Sequence, residues 1–103
     1  MQHSTTTLEQ RLYNGDRARE VLENEEFIAA FEAIEQELME TWKHSPARDP
    51  EGREKLWAYL HLLTKVKTQL TQTLETGKLA KLELEHQRTL KERMRDGWHS
   101  LTA

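Results

Sequence analysis

The sequence predicts an all-α fold: an antiparallel helical hairpin with a long second helix, oligomerising into a helical bundle. Three observations point there. Two long segments repeat apolar residues at spacings of three and four, the period of an amphipathic helix. No run alternates β-branched or aromatic residues with polar ones as a half-buried strand would. The two prolines, Pro46 and Pro50, fall in one short segment, so the chain has a single strong break.

The first dozen residues, with the run Thr5-Thr6-Thr7, show no period and read as an arm, and Asn14-Gly15 reads as a turn. Asp16 is then a candidate N-cap for a short helical piece containing Ala18, Val21 and Leu22. Asn24 is a candidate second cap, because Glu25 and Glu26 follow where a helix N-terminus favours negative charge. From Glu25 to Lys43 the stripe is clear: Phe27, Phe31, Ile34 and Leu38, widened by Ile28, Met39 and Trp42, lie opposite an acidic face of Glu32, Glu35, Glu37 and Glu40. This helix ends at His44-Ser45-Pro46.

Asp49-Pro50-Glu51 is a good N-cap, N1 and first-turn sequence, since proline lacks only an amide that would be orphaned there. The helix it opens has two overlapping seams, built on Leu56, Leu60, Leu63, Val66, Leu70 and Leu74, with Trp57, Tyr59 and Leu62 beside them. That is more apolar surface than one partner helix of roughly 19 residues covers. Past Gly77 the pattern continues through Leu79, Ala80, Leu82, Leu84, Leu90 and Met94. A lone glycine costs a helix only about 1 kcal/mol against alanine, so continuity through Gly77 is expected. A helix from Pro50 to Arg95 would span about 70 Å at 1.5 Å per residue, and its far end would need another chain. Gly97 reads as a C-cap followed by Trp98. The expected organisation is therefore a flexible arm over residues 1–15, one helical domain over 16–97 with helices at 16–43 and 50–95, and a tail over 98–103.

At 103 residues the chain is long enough for one small domain, and with no cysteine it has no disulfide, thiolate metal site or cysteine nucleophile. The opening MQHSTTTLEQ lacks the regions of a signal peptide, and no stretch is apolar enough to span a bilayer, so a cytoplasmic protein with no membrane partner is expected. The formal charge of -3 hides a split: residues 1–40 carry ten acids and three bases, residues 41–103 eight acids and twelve bases. Unlike halves steer packing within a chain or association between chains.

Sequence motifs argue for binding rather than catalysis. Glu83-Leu84-Glu85-His86 places an acid and a histidine at i and i+3, as in di-iron helical bundles, but such a site also needs a bridging carboxylate from a facing helix, and the sequence gives its candidates, Glu35 and Glu37, no reason to project into the core. His3, His44, His61 and His99 stand apart, the glycines form no phosphate loop, and Ser4, Ser45 and Ser100 lie in no nucleophile elbow. No enzyme activity, metal or cofactor is expected. The partner expected first is a second copy, a dimer or larger assembly joined through Leu56, Leu60, Leu63, Val66, Leu70, Leu74 and Gly77, where the missing side chain lets two backbones approach. The alternative surface, for another protein or nucleic acid, is Lys78, Lys81, Arg88, Lys91, Arg93 and Arg95 with Trp98. Its net +2 over 19 residues is sparse for phosphate binding. Trp42 and Trp57, brought to one end by a hairpin, are expected to clasp in the core.

The segments Ala18 to Leu22, Asn24 through Trp42, Asp49 through Trp57 and Glu75-Thr76-Gly77-Lys78-Leu79-Ala80 resemble small helical proteins encoded by tailed bacteriophages. The resemblance implies an accessory role in virion assembly, packaging or inhibition of a host factor, in the host cytoplasm or the virion, and brings no active-site residues.

Overall fold

A computed structural model describes the backbone of residues 7–102 and the side chains of residues 7–98. Among them are three helices and no strand: α1 (Leu8–Leu22), α2 (Glu25–Lys43) and α3 (Pro50–Thr102). None is long and apolar enough to cross a membrane. The contacts divide the chain into two compact units, one of residues 18–72 and one of residues up to 17 with residues from 73 onward.

In the unit of residues 18–72, the caps are those that the residue types dictate. Asn24 accepts a hydrogen bond from the Phe27 amide at 2.9 Å, filling one of the orphan donors at the start of α2. Asp49 does the same for the Gly52 amide at 3.0 Å, ahead of Pro50. Along α2 the half-buried residues are Phe27, Phe31, Glu35 and Leu38, and along the first part of α3 they include Leu56, Leu60, Leu63 and Leu70, so each helix turns one stripe inward; Glu35, expected on the acidic outer face, lies in this stripe, where Lys67 reaches it. Three contacts tie the helices together. The Arg53 guanidinium lies 4.8 Å from the Trp42 ring centroid, and Lys67 reaches both Glu35 at 3.5 Å and the Phe31 ring at 5.9 Å. Trp42 is therefore covered by an arginine rather than by Trp57. Trp57 stacks instead on His61, ring centroids 5.0 Å apart, and is 64% exposed.

In the other unit, α1 differs from expectation. The helix begins at Leu8, not near residue 16, and runs through Asn14-Gly15. Thr7 is its cap: the hydroxyl accepts from the Gln10 amide at 3.1 Å, and Thr7 and Gln10 are spaced as in a capping box. Asp16 is accordingly an interior helical residue. Residues 8–15 of the expected arm are thus helix, and residues 1–6, including His3, Ser4, Thr5 and Thr6, lie outside the described ones. Gly15 is buried at a crossing with α3, where a β-carbon added to it would lie 2.7 Å from Gly77 Cα and 3.3 Å from the Thr73 carbonyl oxygen. The converse holds for Gly77, whose added β-carbon would meet Gly15 Cα at 2.7 Å and the Arg11 carbonyl oxygen at 3.1 Å. The close approach expected between two chains at Gly77 is made within one chain, and this packing offsets the cost of a glycine inside α1.

α3 continues through Gly77, as expected, and also through Gly97 to Thr102. No glycine has positive φ, so Gly97 is not a C-cap, and the expected tail continues the helix.

The glycines give a direct test. An added methyl at Gly15 or Gly77 meets backbone that cannot rotate away, an overpacking cost of about 1–3 kcal/mol. Gly97 has nothing within 4 Å, so alanine there gains helix propensity. Thermal melts followed by circular dichroism should show Gly15→Ala and Gly77→Ala lowering Tm and Gly97→Ala raising it.

Candidate functional site

Among the described residues the only hydrophobic side chains below a tenth exposure are Ala18 and Ala80, and none is fully buried. Large apolar residues are left in water, and where they lie decides what the chain can do.

The part of α3 from Thr73 onward has two apolar faces. Gly77 and Ala80 are buried and Leu84 half-buried, so the face that meets α1 is built from small residues. At about 100° per residue, Leu79, Leu82 and Leu90 fall on roughly the opposite side, with His86 between them and Met94 at their edge. These four apolar residues are 68%, 61%, 43% and 73% exposed in the order Leu79, Leu82, Leu90, Met94. Trp98, 65% exposed, lies at the end of the same segment.

The residues expected to mediate self-association divide. Leu56, Leu60, Leu63 and Leu70 are half-buried in the 18–72 unit, and Val66 is 42% exposed beside them. Leu74 is half-buried and Gly77 buried in the other unit. Most of this seam is therefore used within the chain.

The basic residues do not form one stripe. Lys81, Arg88 and Arg95 recur at seven-residue intervals with Lys91 alongside, whereas Lys78 and Arg93 point to another side of the helix. Acids interleave with them: Lys78 pairs with Glu75 at 3.3 Å and Arg88 with Glu92 at 3.9 Å. The potential along the helix alternates, which is unsuited to a continuous phosphate backbone.

Glu83 and His86 are both exposed, and Glu83 accepts a hydrogen bond from Gln87 at 3.3 Å. No group of three or more histidines and carboxylates capable of holding a metal occurs among the described residues. An open depression of about 530 Å³ lies at the α2–α3 connection, lined by Glu40, Thr41, His44, Asp49 and Leu56 among others. Its polar groups are already engaged locally: Asp49 caps α3, and Glu40 lies 3.7 Å from His44.

Sequence reasoning missed Gly15 and Thr7. The available signals were the Thr7-x-x-Gln10 spacing and the matched Gly15-x-x-Ala18 and Gly77-x-x-Ala80 pairs, all four buried. No family model matches the sequence, and neither a curated protein nor a solved structure matches it.

The alternating charge leads to an expected outcome in solution. Fluorescence anisotropy of a labelled DNA duplex titrated with the protein at physiological salt should show no saturable binding tighter than about 10⁻⁴ M, the weak end of non-specific association.

Proposed function

We propose that this chain is a non-catalytic helical interaction protein whose principal partner is a second copy of itself. The observation that carries the reading is the exposure of Leu79, Leu82, Leu90 and Met94 where the buried hydrophobic residues, among the described ones, are two alanines. Full burial of such a side chain is worth about 1.5–3 kcal/mol. Two copies contribute eight, each 43–73% exposed, so their burial gains part of that value apiece, a sum of the same order as the translational and rotational cost of pairing, about 4–15 kcal/mol. Exposed apolar area of this kind, in a helix with alternating charges around it, is what marks a protein interface.

Within each copy, α2 and the first part of α3 form an antiparallel hairpin. The supporting contacts run in opposite senses: position 42 of α2 meets position 53 of α3, and positions 31 and 35 meet position 67. The assembly is then a bundle in which α3 provides the joining surface. The likeness to helical bacteriophage proteins adds a setting, an accessory part in virion assembly. The basic residues favour no second class of partner, because acids accompany them along the helix.

Light scattering at micromolar concentration tests the proposal: the mass should be at least twice the 12.2 kDa of one chain. Tm should also rise with protein concentration, because pairing of folded chains stabilises them by mass action. A 12.2 kDa species with a concentration-independent Tm would overturn the reading.

A further inference from the structure

The exposed stripe on the last part of α3 has an internal symmetry. Counted from His86, Leu79 and Leu82 lie seven and four positions before it, and Leu90 and Arg93 four and seven positions after it. At about 100° per residue all five fall within about 40° of the His86 direction, and residues at opposite offsets lie at opposite angles. Every helix places opposite offsets at opposite angles, so what fits this face to a twofold axis is its residues: leucines stand four positions before and four after His86, and in an antiparallel pair each meets the other, as an isologous interface requires.

Resting on the self-association reading above, we propose that two copies pair through this face with their α3 helices antiparallel and the twofold axis at His86. In that register Leu82 of each copy packs on Leu90 of the other, and Leu79 meets the stem of Arg93. Met94 falls opposite the aliphatic stem of Lys78, a residue type that covers apolar surface while its ammonium stays in water.

Charge selects this direction over the parallel one. Glu75 and Glu83 lie one turn on either side of Leu79, so the antiparallel register sets the Arg93 guanidinium of each copy beside Glu83 of the other and beside Glu75, which also holds Lys78 at 3.3 Å. A parallel, in-register pair would set Arg93 against Arg93 and Glu83 against Glu83. Like charges facing one another suppress that arrangement, and opposite charges fix the register. The face is open to receive the partner, with Leu79, Leu82 and Met94 all more than 60% exposed.

The absence of cysteine makes disulfide mapping clean. Leu82→Cys, Leu90→Cys and His86→Cys are each introduced alone and oxidised with oxidised glutathione at micromolar concentration, one variant carrying a mass tag. A disulfide needs Cα atoms about 4.4–6.8 Å apart, so only residues that face each other cross-link well. The expected result is a covalent dimer from His86→Cys alone and from the mixture of Leu82→Cys with Leu90→Cys, with little from either leucine variant by itself. Homodimers from Leu82→Cys alone in equal yield would overturn the antiparallel register. No cross-link at all, with a dimeric mass for the unmodified protein, would overturn this interface and leave self-association through another face. A monomeric unmodified protein would overturn both. As a check that does not depend on cysteine, Arg93→Glu should weaken the dimer at least tenfold. Combining it with Glu83→Lys should restore most of the loss, since each copy's new charges again oppose those of the other. Failure of that rescue, with both variants helical by circular dichroism, would count against the register.

Discussion

The backbone contact of Gly15 with Gly77 is the constraint on which the arrangement of α1 and the later part of α3 depends. α1 has 15 residues and a glycine in its interior, near the length at which an isolated helix is marginal in water. Its apolar content is thin, so propensity and burial of large side chains cannot hold it. Close approach of two helices offers a different source of stability, many short-range contacts between backbone atoms, each small and together substantial. That approach needs a missing side chain on both partners. It also commits the small-residue face of α3 to α1, and a helix facing one neighbour leaves its other side open.

The 18–72 unit is held differently. The ion pair between Lys67 and Glu35 is nearly half exposed on both side chains, so screening leaves it worth little. The cation over the Trp42 ring adds a comparable, modest amount. The half-buried Phe27, Phe31 and Leu38 of α2 and Leu56, Leu60, Leu63 and Leu70 of α3 remove more apolar surface from water than these charged contacts contribute. Charge in this unit sets alignment more than it sets strength.

Much of this was legible in the sequence. α2 could be read from its stripe and its Asn24 cap, and the start of α3 from Asp49-Pro50, because these signals are local and chemical. Continuity through Gly77 followed from the small cost of one glycine. The elements misjudged were those whose stability is not local. Asn14-Gly15 is a turn signal in isolation and becomes helix only because Gly77, sixty-two positions later, accepts it. Gly97 reads as a stop only if the following residues leave the helix, and here nothing forces them to. For the site, the uncovered leucines of the second helix were legible as a surplus of apolar surface. Which of them the chain would cover was not legible, since that depended on α1. The leucines assigned first to self-association are largely occupied within the chain, and Leu62, Leu79, Leu82 and Leu90 are among those left over.

The burial of glycine and alanine in place of leucine or phenylalanine inverts the usual pattern of constraint on a protein interior. In an ordinary core, each position has a minimum volume below which a cavity opens. At Gly15 and Gly77 the limit is a maximum, since an added carbon meets the backbone of the other helix, which has to shift. Such positions accept even a methyl group only at a cost in stability. Sequence drift in this chain is therefore narrowest where the side chains are smallest.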